Sequence, residues 1–177
     1  GDELSAYRDL KLALSLKPEP RTRDLLRSSL LEGLRVDFAK FKSSQSDIEA
    51  LLDTPEQRSR YYQLLGRGWE QAGEWQAAFS AYLKLVNPTL KPEGLEVVET
   101  ARSVRRDRLV QTRTGDIYAK ADAANRADMD REVRQFWETA RQSDKPEDVR
   151  EFLNFFGQHP LAADARRQML DRAGKIA

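Results

Sequence analysis

Apolar side chains recur at helical spacing along almost the whole chain, and the breaks between apolar stretches fall on proline, glycine and small polar residues. Residues 4–16 read as a first helix, stopped by Lys17-Pro18-Glu19-Pro20 because a proline disfavours helical geometry in the residue before it. Thr22 is placed to cap a long second helix on which Leu30, Leu34, Phe38 and Phe41 form one apolar stripe. Ser46 with Glu49, and Thr54 with Pro55 and Gln57, have the form of two successive capping boxes, which predicts a short helix over 48–52 between them. Residues 1–53 thus read as a set of amino-terminal helices that cap the helices after residue 54.

The most informative stretch is 54–88. Tyr62, Leu65, Gly66 and Trp69 lie at i, i+3, i+4 and i+7, Gly73 ends that helix, and Trp75, Ala78, Phe79 and Tyr82 form the face of a second one. Gly66 and Ala78 are small enough to let two helix backbones approach closely, with the aromatic rings around that contact. This alternation resembles the tetratricopeptide repeat, departing from it at Leu85, where the family has a small residue, and at Pro88, two places early. The resemblance implies an all-α fold of antiparallel helical hairpins stacked as a short tetratricopeptide-like solenoid, and a protein that binds rather than catalyses. It also implies that Arg60, Gln63, Arg67, Glu70 and Gln71 line a concave groove, where long polar side chains can hold a peptide backbone or a carboxylate by charge-assisted hydrogen bonds. An ordinary wetted surface is the plain alternative for the same five residues.

Residues 89–102 read as the longest loop, with a short extended segment at Leu95-Glu96-Val97-Val98. A helix is expected to resume at about Ser103 with Val110, Ile117 and Ala121 on one face. Another is expected over 126–143, with Met129, Val133, Phe136 and Ala140 in line and Asp130 paired to Arg134. The segment 144–177 reads as a closing hairpin, carrying Val149, Phe152, Leu153 and Phe156 on its first helix, Gly157 as terminator and Pro160 in the first turn of its second. Its wording resembles repeats of bacterial periplasmic tetratricopeptide proteins. A wider resemblance is to the helical segment of large bacterial proteins that carry pyrroloquinoline-quinone-type β-propeller repeats, which implies a module of a longer chain; the Gly1-Asp2 start reads as a cut from a longer precursor or as an expression scar.

Composition narrows the classes. The 177 residues hold 30 Lys and Arg against 29 Asp and Glu, a net charge of +1, so nothing draws polyanions to the chain as a whole. With no cysteine there are no disulfides or thiolate metal sites, and no apolar run approaches the roughly 18 residues of a membrane span. His159, the single histidine, sits before Pro160 at a helix start, where a capping role accounts for it; no partner for a catalytic dyad stands beside it in sequence. Gly66-Arg67-Gly68 lacks the preceding strand and third glycine of a phosphate cradle. The three tryptophans, Trp69, Trp75 and Trp137, fall at helical core positions. Arg102, Arg105, Arg106, Arg108 and Arg113 form a basic run without interleaved aromatics. The reading is therefore a non-catalytic protein-interaction or scaffolding module, monomeric, without metal or cofactor, with a protein or peptide partner, in the periplasm or envelope or the cytoplasm of a bacterium. The alternatives are a nucleic-acid-associated domain using the Arg102 to Arg113 face and a structural spacer in a β-propeller protein.

Overall fold

The computed structural model describes residues 3–16, 19–98 and 102–176. Among these residues the regular structure is helical apart from one two-stranded ribbon, in the order α1 (Glu3–Leu16), α2 (Pro20–Val36), α3 (Phe38–Phe41), a 3-10 turn (Lys42–Ser44), α4 (Gln45–Glu49), α5 (Pro55–Gln71), α6 (Trp75–Leu83), β1 (Leu95–Val98), β2 (Arg102–Arg105), α7 (Arg106–Lys120), α8 (Ala123–Gln142), α9 (Pro146–Phe156) and α10 (Ala162–Ile176). It forms two compact units, Gly1–Gly68 and Trp69–Ala177, so the division falls inside α5. No described helix is long and apolar enough to cross a membrane.

In the first unit α1 packs on α2, whose Leu26, Leu30 and Leu34 are buried with Phe41, Ile48, Leu51 and Tyr61. Helix α2 starts earlier than its sequence suggests. Pro20, not Thr22, sets the start, because its fixed φ suits a first helical position and holds Glu19 extended at φ −93°, ψ 143°. The apolar stripe from Leu30 to Phe41 is not one helix either: Asp37 leaves helical geometry at φ −140°, ψ 74°, and its side chain caps α3 through Lys40 N. The expected Ser46 capping box does not form, since Ser46 lies within α4, which spans Gln45–Glu49 rather than 48–52. The second box does: Thr54 Oγ1 accepts from Gln57 N at 3.2 Å, and Gln57 Oε1 accepts from Asp53 N and Thr54 N at 2.7 and 3.2 Å. Two arginines of α2 complete the unit by taking up carbonyls beyond α4. Arg23 donates to Ala50 O at 2.8 Å and Arg27 to Leu51 O at 2.9 Å, while both hold Asp53. Hydrogen bonding to Arg23 lowers the Asp53 pKa.

Around α5 the burial is displaced by one residue from the expected face. Tyr61, Leu64, Leu65 and Gly68 are buried, with Ser59, Gln63 and Gly66 also covered, while Tyr62 and Trp69 are half-buried. In the second unit Gly73 adopts φ +74°, a left-handed geometry glycine tolerates, and ends the turn into α6, whose Ala78 and Phe79 are buried. Helix α6 packs on α7 and α8, and α9 packs on α7, α8 and α10, so Val110, Ile117, Met129, Val133, Val149 and Phe152 share one core. Trp137 belongs to it, and Trp75 is half-buried under Lys120, whose Nζ lies 5.7 Å from the ring centre. Helix α8 begins at Ala123 because Asp122 caps Asn125 N at 2.8 Å. Arg126 then turns back to the end of α7, donating to Tyr118 O and Ala119 O at 2.8 and 2.9 Å.

The ribbon's second strand was not expected from the sequence. Residues 102–105 pair antiparallel with β1, Leu95 opposite Arg105 and Val98 opposite Arg102, so the helix expected from Ser103 starts at Arg106.

Close contact at one glycine yields a test. A Cβ on Gly33 would lie 2.5 Å from the buried Phe41 ring, whereas one on Gly174 meets nothing within 4 Å. Gly33→Ala should lose about 1–3 kcal/mol to overpacking, outweighing a helix-propensity gain of about 1 kcal/mol, while Gly174→Ala keeps only that gain. Denaturant melts should therefore show changes of opposite sign; equal gains would show that the ring is not held against Gly33.

Candidate functional site

A cleft of about 600 Å³ with an apolar interior lies in the second unit, bounded by residues 86–93, α8 and α9. Helix α9 supplies Phe152, Phe155 and Phe156, and α8 supplies Phe136, Thr139 and Ala140. The rings interlock, Phe136 with Phe156 at 5.4 Å between centres, Phe152 with Phe156 at 5.2 Å and Trp137 with Phe152 at 5.2 Å, which fixes the floor in one arrangement. Phe155 joins Phe152 and Phe156 among the buried rings, a member the i, i+4 pattern omitted, whereas Leu153 is only half-buried.

The opposite wall is a loop stiffened by Pro88 and Pro92 and by local turns. Asn87 Oδ1 accepts from Thr89 N and Oγ1 at 2.9 and 2.8 Å, and Leu90 N donates to Asn87 O at 3.0 Å. Arg106 anchors the loop. Its Nε donates to Glu96 Oε1 at 2.7 Å with both side chains almost wholly buried, and its Nη1 donates to Lys91 O. The first N–H groups of α7 finish the junction, Arg106 N to Gly94 O at 2.8 Å and Asp107 N to Pro92 O at 2.9 Å.

Three carboxylates, Glu93, Asp148 and Glu151, and one ammonium, Lys91, line the same cleft. Burial holds the Glu151 carboxyl above its ordinary range, and repulsion from Asp148, Glu93 and Glu147 pushes it the same way. Asp148 accepts a bond from Ser143 Oγ.

The basic run is divided between β2 and α7 and largely neutralised. Arg106 serves Glu96, Arg105 holds Asp107 at 2.7 Å, and Arg113 pairs with Asp116 and, at 3.5 Å, with Glu70. Arg102 and Arg108 are exposed. Of the residues the tetratricopeptide resemblance assigns to a groove, Gln63 is buried and Arg60 half-buried, its pKa lowered by burial and by Arg35 and Arg67. Arg67 and Gln71 are exposed, and Glu70 is engaged by Arg113 and Lys120.

His159 does have an acidic partner, brought from 29 residues away: its Nε2 lies 2.8 Å from Asp130 Oδ1, so Asp130 turns to the imidazole and not to Arg134. The other nitrogen, Nδ1, accepts from Leu161 N at 3.1 Å at the head of α10. A neutral ring therefore carries its proton on Nε2 and has no lone pair left to take a proton from a substrate, so the geometry is that of a buried capping group. Among the described residues no three His, Asp or Glu side chains are grouped to hold a metal. No family model matches the chain, and no curated protein or solved structure matches it either.

These contacts yield two tests. Burial is the largest influence on His159 and lowers its pKa below the ordinary 6.5, against the opposing pull of Asp130. A lowered folded value means that unfolded chains take up the proton first, so this residue's contribution to stability is present above about pH 6.5 and is lost as pH falls toward the folded value. With a single histidine, the proton NMR titration of its ring is unambiguous, and a midpoint at or above 6.5 would show that Asp130 dominates instead. Separately, Arg106→Ala removes the buried cation held 2.7 Å from Glu96 and should cost about 3–5 kcal/mol, whereas the exposed Arg108→Ala should change stability by under about 1 kcal/mol. Comparable losses in thermal melts would refute the anchoring role.

Proposed function

We propose that this chain is a non-catalytic protein-interaction module that docks an apolar segment of a partner in the cleft between residues 86–93, α8 and α9. The observation that carries this reading is a preformed floor of interlocked phenylalanines facing a proline-stiffened wall, with Phe136 and Leu90 still half-exposed. A rigid apolar recess binds without first ordering its own side chains, which is where much of the cost of association lies. The resemblance of residues 62–82 to a tetratricopeptide repeat supports the same class of function and a stacking of helical hairpins, with Arg60 and Arg67 as further contacts. Neither arginine has an ion pair among the described residues. The neutralised basic run gives no comparable support to a nucleic-acid partner.

Selection of a random displayed peptide library on the whole chain tests the proposal. Wild type should enrich peptides with clustered Leu, Phe or Met, and Thr139→Trp, an exposed position on the cleft wall, should abolish that enrichment without lowering the melting temperature. Enrichment that survives Thr139→Trp, or none at all, would refute the cleft as a docking site.

A further inference from the structure

We infer that the segment received by the cleft carries a Lys or Arg side chain next to its apolar anchor, held by Glu151 and Glu93 at the cleft mouth. The inference rests on the cleft being a binding site and adds the charge of what binds there. Of the charged groups that line the cleft or act on Glu151, Glu93 and Lys91 come from the loop and Asp148 and Glu147 from α9 itself, α8 contributes only Phe136, Thr139 and Ala140 to the lining, and Arg105 of β2 acts on Glu93. Neither Glu93 nor Glu151 has an ion pair among the described residues, although the chain as a whole is positive by one charge. The acidity is thus local to this apolar recess, where the single ammonium of Lys91 stands against three carboxylates.

Physical chemistry then selects the occupant. An anionic segment would add repulsion to carboxylates that already repel one another, and a neutral apolar one would cover the floor while further desolvating Glu151. A cationic group with an apolar neighbour relieves both, since a long Lys or Arg stem can lie along the rings while its head reaches the carboxylates. The volume of about 600 Å³ takes several side chains, which suits a protein segment with residues on both sides of the anchor.

Fluorescence anisotropy with three labelled octapeptides tests this. They share Leu and Phe positions and carry Lys, Ser or Glu at the intervening ones. The Lys peptide should bind at least about ten-fold more tightly than the Ser peptide, and the Glu peptide should bind least. The Glu93→Gln/Glu151→Gln double variant should erase the Lys preference by weakening the Lys peptide, bind the Ser peptide at least as tightly as wild type does, since no carboxylate is then desolvated, and melt no lower than wild type, because it removes repulsion. Lys-peptide binding should also weaken as pH falls through the raised Glu151 titration, since the cation favours the ionised form. Equal binding of the Lys and Ser peptides, abolished by Thr139→Trp, would overturn the charge inference and leave apolar docking intact. A preference that persists in the double variant, or no binding of the Lys peptide, would overturn it as well. Displacement of the Lys peptide by phenethylammonium at matching concentration would assign the site to a small organic cation instead of a protein segment.

Discussion

The second unit is organised by the buried ion pair between Arg106 and Glu96. Taking both charges out of water is expensive, and the pair is sustained because Arg106 also donates to Lys91 O and sits where the first amides of α7 meet the carbonyls of Pro92 and Gly94. Its consequence is visible in the ribbon. The alternation along β1 turns Glu96 inward and leaves Leu95 and Val97 exposed at 69% and 58%, the reverse of what hydrophobicity alone would select. The ion pair fixes the register, the register places the loop before it, and that loop is one wall of the cleft.

The cleft in turn combines two surfaces made by different rules. Its floor is a by-product of core packing: α9 is held by α7, α8 and α10, and the rings that join it to α8 remain in contact where the two helices reach the cleft. Its acidic mouth arises at the start of α9, where Pro146 opens the helix and Glu147 and Asp148 sit in the first turn, a placement the helix dipole favours. Glu151, one turn further on, gains less from that dipole and feels the charge of Glu93, which lines the same cleft. Charges that local helix physics tolerates thus become a property of the recess only once the loop is anchored opposite them.

The helical class was legible because period and punctuation agree along the chain. Gly73, Gly157 and the Thr54 box mark helix ends where the structure has them. What the sequence did not disclose is chiefly long-range. Nothing local marks Arg106 as a buried residue in a run of exposed arginines, and without Glu96 identified as its partner residues 102–105 look like the start of a helix. The face of α5 was displaced by one residue because Tyr61 and Tyr62 are equally plausible inward aromatics; Tyr61 is buried with its hydroxyl on Glu49 at 3.0 Å. The Asp130 contact of His159 likewise crosses 29 residues. The cleft left only a faint mark, apolar Val86 and Leu90 among the prolines of a loop and a third phenylalanine at Phe155.

Arg106 and Glu151 show two different outcomes of placing charge in the same unit. Both are ionisable groups placed against apolar surroundings in the same unit. Arg106 meets a carboxylate and a carbonyl within hydrogen-bonding distance and so contributes to holding the fold. Glu151 has no ion pair among the described residues, is raised in pKa by burial and by the carboxylates of Asp148, Glu93 and Glu147, and remains open to water. A fold optimised for stability alone would place Gln or Lys there. Carboxylates that outnumber the cations beside a rigid apolar floor are what the proposed cationic segment would compensate, and their mutual repulsion would then act as selectivity for that segment.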